Sequence, residues 1–600
     1  MTMTQTVSRF TSLLFFYTLF CSHLASAQVV TQDRRVSWND AGLRDTSTLN
    51  FTMINVLNEG FDNTGIDANN IKMDSLINEF GSDGVVFFFP QGDYLFNNTI
   101  DLLSNQILKG EGMNQTEFVF DLGGSGDAIR VNGGIDNSSE PLLSMNAFKG
   151  QYYIQSDESN QVSAGDWIKL FQQDDDLVTS SWALNSVGQI VKVSNVIGDT
   201  ILLESALRMD FAIQKAPRFK KMQMKSNVGI ECLKLLRLDD AAPEQASNFA
   251  FRYASNCWLK NVESENCTFS HVVAENASNL KIGRSYFHHG FDYGGGGRAY
   301  GVSLQFTTNE CLIEDNIFEH LRHSMLLQAG PNGNVFSYNF STDPYWTSSN
   351  PIIPSDAAGD MVLHGNYPFA NLFEQNSGQN IVIDNSHGAN GPHNTFLRNR
   401  ASLFGIFFSD ATSPSQNLVG NEIPNTTSPY SFVNYSIQGI DQFEYGNNNK
   451  GNITPSGTET LADESYFYNE MPSFLNAPEW VGIGTPNIME QNKIPAQNRF
   501  ESGTIYNYPC AEEDPVLQAS NEFQFKFHVY PNPASDELII DSDRKGMIII
   551  YDVKGGRIAE LQVRIGLNKL NVITFPKGIY RAVLMNMNQD VLLQKSFVVD

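Results

Sequence analysis

"LIEDNIF" at 312–318, "VFSYNF" at 335–340, "LFEQN" at 372–376 and "TFLRN" at 395–399 are versions of one phrase: a short apolar run followed closely by Asn. The phrase recurs as "WLKNV" from 258, "LKIGRSYF" from 280 and "LVGNEI" from 418, so successive starts are 22, 32, 23, 37, 23 and 23 residues apart. A period of 22 to 23 with strand-length apolar pieces and Asn/Gly turns predicts a parallel β-helix. One coil cannot bury its own apolar face, so neighbouring coils stack at about 4.8 Å. Asn suits the turns because it tolerates left-handed backbone and can bond its own main chain. A leucine-rich repeat has a similar period, but its Leu spacing is absent and the runs are richer in Val, Ile and Phe.

The two long steps hold "HHGFDYGGGGRAYG" (288–301) and "STDPYWTSSNPIIPSDAAGDMVLHG" (341–365). Both follow the Asn-containing strand of their coil. Both insertions therefore leave the solenoid at the same angular position, in consecutive coils, where two loops on one side make the walls of a groove.

The rest of the chain is organised around this array. Arg9, the apolar "LLFFYTLF" and "ASA" before Gln28 predict a signal peptide over 1–27, too short to span a membrane. The expected sections are an N-terminal cap with the first coils (28–149), a small inserted β-module (150–215), the main β-helix (216–505), a linker (506–524) and a C-terminal β-module (525–600). In "NNIKMDSLINEFG", Ile71, Leu76, Ile77 and Phe80 fall at helical spacing and stop at Gly81, which predicts a helix capping the open end of the core. A formal charge of -27 excludes a general nucleic-acid binder. Past the signal, Cys232, Cys257, Cys267, Cys311 and Cys510 remain. That odd count is no disulfide framework, and the first four are expected as buried thiols.

Two resemblances follow from particular motifs. "YPNPASDEL", "YDVKGGRI" and "GIYRAVL" resemble the C-terminal sorting domain of the Bacteroidetes type IX secretion system. The resemblance implies a β-sandwich tail, the type IX machinery as partner, and a secreted or surface-attached product. "VVFFFPQGDYLF" with "LLSNQILKGEG" (85–112) resembles the start of the pectate-lyase-like superfamily of secreted right-handed parallel β-helices. That resemblance implies an all-β fold and leaves the reaction open, because lyases, hydrolases, epimerases and tailspikes share it.

The chemistry is sought where histidine concentrates. Eight of the nine histidines after the signal lie between 271 and 393, where an even scatter over 573 residues would place about two. Stacking "VSLQ", "MLLQ", "MVLH", "IVID" and "IFFS" puts Gln305, Gln328, His364, Asp384 and Ser409 in one outward row, with His364 beside Asp384. Arg298 and Tyr300, then Arg322 and His323, occupy the corner before that row. In uronate elimination Arg322, with Arg298 or a Ca²⁺ ion, neutralises the substrate carboxylate; His323 or His364 is the base and Tyr300 the acid. Hydrolysis needs two carboxylates about 5 to 9.5 Å apart, for which Asp384, Asp360 and Asp292 are the candidates. Gln305, Gln328, His289, Tyr345, Trp346 and Tyr367 are candidate sugar contacts. Asp384, His387 and His393 have no recognised metal-ligand spacing, so the metal requirement is left unknown. The expected function is a secreted enzyme acting on a polysaccharide, a lyase ahead of a glycoside hydrolase, with a non-catalytic glycan-binding adhesin as the alternative from another class.

Overall fold

The computed structural model describes residues 28–44, 51–239, 244–347, 353–427, 435–507 (without 478 and 481), 510 and, with short gaps, 527–599. The expected signal peptide lies outside the described residues. A right-handed parallel β-helix forms the body. Its sheet one runs through Val85–Phe89, Gln106–Gly110, Lys281–Gly283, Leu312–Glu314, Val335–Ser337, Leu372–Glu374 and Thr395–Leu397. Sheet two includes Gly92–Phe96, Thr116–Phe120, Tyr286–His288, Ile317–Glu319 and Phe340–Thr342. Sheet three stacks Ser247–Arg252, Ser270–Glu275, Tyr300–Gln305, His323–Gln328, Met361–Leu363 and the end of Ser377–Ile383.

Inward residues pile like on like. Phe336, Phe373 and Phe396 stack with ring centroids 4.8 and 4.9 Å apart, the spacing of the strands themselves. The recurrent Asn does something other than bond its own backbone. Asn316, Asn339, Asn376, Asn399, Asn421 and Asn447 form an internal ladder, each amide donating to the side-chain oxygen of the next at 2.9 to 3.2 Å. A second ladder links Asn334, Asn371 and Asn394. The left-handed position belongs to the preceding residue: Asp315, Tyr338, Gln375 and Arg398 in the first ladder. A fully buried amide needs its partners, and here they are the side chain one coil on and a main-chain carbonyl of the coil before.

The N-terminal helix Asn70–Phe80 stops at Gly81 and buries Met73, Leu76 and Ile77 against the core, whereas Ile71 is 86% exposed. The inserted module is wider than expected. Its six-stranded antiparallel sheet starts at Gly134–Ile135 and closes with Arg218–Gln223. The coils end near Asn449, earlier than 505. The following chain returns along the corner between sheets one and two, meeting one left-handed corner residue after another. Main-chain oxygens of Leu461, Asp463, Ile483 and Thr485 accept from Arg398, Tyr468 and Phe474 pack on Tyr338, and Arg499 pairs with Asp315 at 2.9 Å. This strap ends in a disulfide between Cys510 and Cys232, 278 residues apart, correcting the expectation that Cys232 is a free thiol. Cys257, Cys267 and Cys311 are free and buried. Two packed antiparallel sheets make up the C-terminal domain.

Candidate functional site

The central candidate residues lie on the outer side of sheet three, nearly all of them buried. The loop around 289–299 meets residues 343–347 of the second insertion. The Thr347 amide donates to the Tyr293 carbonyl at 3.0 Å, and the Tyr293 and Tyr345 rings meet edge to face at 5.1 Å. On the opposite side the inserted module packs against the corner that leaves sheet three. There Asn309 exchanges hydrogen bonds with both backbone groups of Ile190, Asn332 donates to the Gly188 carbonyl at 2.9 Å, and Arg208 pairs with Glu310 at 2.8 Å, both side chains buried.

The strand register sets this face. Val302, Met325, Met361 and Ile381 point into the core, as do Leu304, Leu327, Leu363 and Ile383. Alternation turns Gln305, Gln328, His364 and Asp384 outward in one row, with Glu275 and Arg252 continuing it toward the N-terminal coils. His364 Nδ1 lies 2.7 Å from Asp384 Oδ2, and Asp384 Oδ1 accepts from the Ser386 amide at 2.9 Å. Burial pushes the Asp384 carboxyl up, but His364 and these hydrogen bonds outweigh it and hold the group below its ordinary value. In the neutral form of this ring, an ionised carboxylate at Nδ1 would place the proton there and the lone pair on Nε2.

His323 and His364 converge, their ring centroids 5.5 Å apart. The outward positions between them, Leu326 and Val362, are fully buried. His323 Nδ1 faces the Gly359 carbonyl at 3.1 Å, which makes Nε2 the free nitrogen of this ring too. Burial, then Arg322 and His364, hold His323 well below the ordinary histidine value, so the ring is neutral. Tyr300 lies 5.1 Å from His323, and burial raises its phenol above the ordinary value, so the hydroxyl keeps its proton. The Arg322 guanidinium sits 5.7 Å over the Tyr300 ring and donates to the Gly294 carbonyl at 2.6 Å; its buried Nε finds no hydrogen-bond partner among the described residues.

Other candidates lie elsewhere. Asp360 is fully buried, accepting from Ser341 at 2.5 Å and from the Gln379 and Asn380 amides, so it ties the end of the second insertion to the coils and is not exposed beside His364 and Asp384. Burial pushes its carboxyl up to about 6. His289 stacks on His320, which stacks on Tyr345 in turn. Trp346 donates to the Pro354 carbonyl inside its own insertion, and Arg298 is held by the Glu244 and Gly297 carbonyls with Asp292 at 3.7 Å. The histidines thus divide. His323, His364 and His387 are grouped at sheet three, His271, His288, His289 and His320 are linked to one another elsewhere, and His393 sits at a distant turn near Arg34 and Asp441.

Trp182, on the short helix Ser181–Ala183 of the inserted module, joins this group and was not anticipated. Its indole meets His387 at 5.4 Å, and His387 meets His364 at 5.1 Å. Nothing in "SSWALN" announces this, because the module's docking is a long-range contact without periodicity. Among the described residues, the carboxylate and imidazole ligand atoms close enough to share a metal ion are those of Glu263, Glu265 and His288, in sheet two. Lys234 Nζ already lies 2.7 Å from Glu265 and 3.9 Å from Glu263, so that cluster is provided with a cation from the chain itself.

These features define an exported β-helix protein with a largely buried polar cluster, His323, His364 and Asp384, on the outer side of sheet three. Residues 528–600 match the secretion system C-terminal sorting domain, the type IX tail, which assigns the protein to export and to a secreted or cell-surface location. Among the described residues, no helix is long and apolar enough to cross a membrane. No curated protein matches the chain. Of solved structures, the Gp54 tailspike of Acinetobacter baumannii bacteriophage AP22, in complex with capsular saccharide, is 12% identical, covering 66% of this chain and 69% of that one at a TM-score of 0.37. The Pseudomonas phage phi297 tailspike gp61 is 11% identical over 91% of this chain and 99% of its own, TM-score 0.36. The mannuronan C-5 epimerase AlgE6 A-module of Azotobacter vinelandii is 13% identical over 66% and 98%, TM-score 0.31. The β-helix itself is defined by the strand register, independently of these likenesses.

Proposed function

We propose that the protein is a polysaccharide lyase that cleaves a uronate-containing glycan by β-elimination at the sheet-three cluster. The observation that carries this reading is the His364–Asp384 pair at 2.7 Å beside a neutral His323 and a protonated Tyr300. In this reading Arg322 receives the uronate carboxylate and draws charge from it, which acidifies the neighbouring C–H. The Nε2 atom of His364, or of His323 beside it, takes that proton. The electron pair forms the carbon–carbon double bond as the glycosidic C–O bond breaks, and Tyr300 donates its proton to the departing oxygen. A Ca²⁺ ion, if bound, would assist Arg322 in neutralising the carboxylate.

Hydrolysis fits less well. The other carboxylate of the outward row, Glu275, is four rungs from Asp384, about 19 Å at ~4.8 Å per rung, and it pairs with Arg252 at 2.7 Å. A hydrolase would have to recruit Asp410, an exposed rim residue bonded to Asn385 and Thr412. The test is a panel of polyuronates and neutral glycans, scored for ultraviolet absorbance of the unsaturated product. The expected result is turnover of a polyuronate that is abolished by His364→Ala, lowered about 10²- to 10⁴-fold by Tyr300→Phe, and insensitive to Asp410→Asn. Loss of activity in Asp410→Asn with Tyr300→Phe unaffected supports hydrolysis. Binding without turnover supports a glycan-binding adhesin.

A further inference from the structure

We propose that Trp182 is a sugar-stacking platform, binding the apolar face of the pyranose ring next to the one held over His364 and Asp384. This rests on the reading of the sheet-three cluster as a polysaccharide site. It assigns to the inserted module a part in substrate selection.

The module is seated closely against the coils. Gly330, at φ +80°, lies so near that a Cβ would fall 2.1 Å from the Ser186 carbonyl oxygen, and one on Gly388, at φ +83°, would fall 2.5 Å from the Thr179 side chain. Only glycine serves at these two contacts. Hydrogen bonds close the same seam: Thr307 donates to the Ser186 carbonyl at 2.5 Å, and the Thr179 amide donates to the Asn366 side chain at 3.0 Å. Ala183, adjoining Trp182, is fully buried in an apolar cluster with Ala329, Phe369 and Ala370.

The indole is fixed by its neighbours. It meets Phe306 at 5.8 Å and His387 at 5.4 Å, with interplanar angles of 81° and 79°, so both rings are nearly perpendicular to it. At these angles neither ring is stacked parallel on the indole. A large aromatic side chain held by two ring contacts and still 46% exposed, within two ring contacts of His364, is suited to an occupant with one flat apolar side and polar edges, which a pyranose offers. Through His387 it is two ring contacts, of 5.4 and 5.1 Å, from His364.

The experiment uses full-length protein carrying His364→Ala, so that sugar binds without turnover. Tetrasaccharides of polygalacturonate, alginate and cellulose are titrated by calorimetry and indole fluorescence, with and without Trp182→Ala or Trp182→Phe, melting temperature serving as the fold control. The expected result is binding weakened about ten- to a hundredfold by Trp182→Ala and largely kept by Trp182→Phe. In the active background the loss falls on KM rather than kcat. Equal affinity in Trp182→Ala and its parent overturns the platform, while turnover by the unmutated protein leaves the lyase reading standing. Trp182-dependent binding with no turnover of any polyuronate does the reverse. No binding of any of the three sugars overturns the platform.

Discussion

Replacing Asp384 with Asn tests the chemistry at a single atom. The carboxylate accepts from the Ser386 amide through Oδ1 and faces His364 Nδ1 through Oδ2. An amide of the same shape has one acceptor and one donor end. If its oxygen keeps the Ser386 hydrogen bond, its NH₂ faces Nδ1, and the imidazole must move its proton to Nε2, the nitrogen that is needed free. If it flips, two N–H donors oppose each other at Ser386. Both side chains are largely buried, at 8% and 14% exposure for His364 and Asp384, so water does not relieve the conflict. The lost general base corresponds to about 10²- to 10⁴-fold in kcat, about 2.7 to 5.4 kcal/mol of barrier. Steady-state kinetics on the polyuronate identified by the panel should show that fall in kcat with KM little changed. A variant with wild-type kcat, or one whose loss lies wholly in KM, refutes the assignment of His364 as an Asp384-oriented base.

Further outcomes concern the scaffold. Cys232→Ser with Cys510→Ser opens a 278-residue span and should lower stability by about 3 to 5 kcal/mol in denaturant melts; an unchanged midpoint means the strap is held without its clasp. Asn376→Ala deprives the Asn339 backbone amide and side chain, both bonded to it at 2.9 to 3.0 Å, of buried partners, at a cost of about 3 kcal/mol or more, read as a lowered melting temperature. Burial pushes the Glu374 carboxyl up to about 7 despite hydrogen bonds from Ser465 and the Tyr466 amide. Its folded value is above the unfolded one of about 4.3, so its contribution is complete below pH ~4.3 and is lost as pH rises toward 7. Across that window the wild type should lose melting temperature relative to Glu374→Gln, and parallel curves would contradict the burial argument.

Much of this geometry is legible in the chain because a solenoid converts sequence period into neighbourhood. Once "MLLQ", "MVLH" and "IVID" are stacked, strand alternation alone turns Gln328, His364 and Asp384 to one face, and the register has them adjacent. The meeting of the two insertions follows from the same period. Contacts that cross the period are illegible. Trp182 reaches the cluster through a module that docks by corner glycines, and Cys510 finds Cys232 at the end of an irregular strap. The apolar spacing of the first helix suggests Ile71, yet the core takes Met73 on the face that points inward. In the sequence Asp360 is a candidate for a hydrolytic carboxylate pair; the fold buries it, where Ser341 and two amides bind it. Asn is chosen here for stacking between coils, a role invisible until the coils are superposed.

The most direct test of the central claim is to digest a polyuronate with the full-length protein in heavy-oxygen water and weigh the fragments. Elimination at the His364–Asp384 site predicts fragments with a new double bond, one water lighter than hydrolysis products and free of heavy oxygen, formed far more slowly by Asp384→Asn. Fragments carrying one heavy oxygen at the cut end, or unsaturated fragments made undiminished by Asp384→Asn, would contradict it.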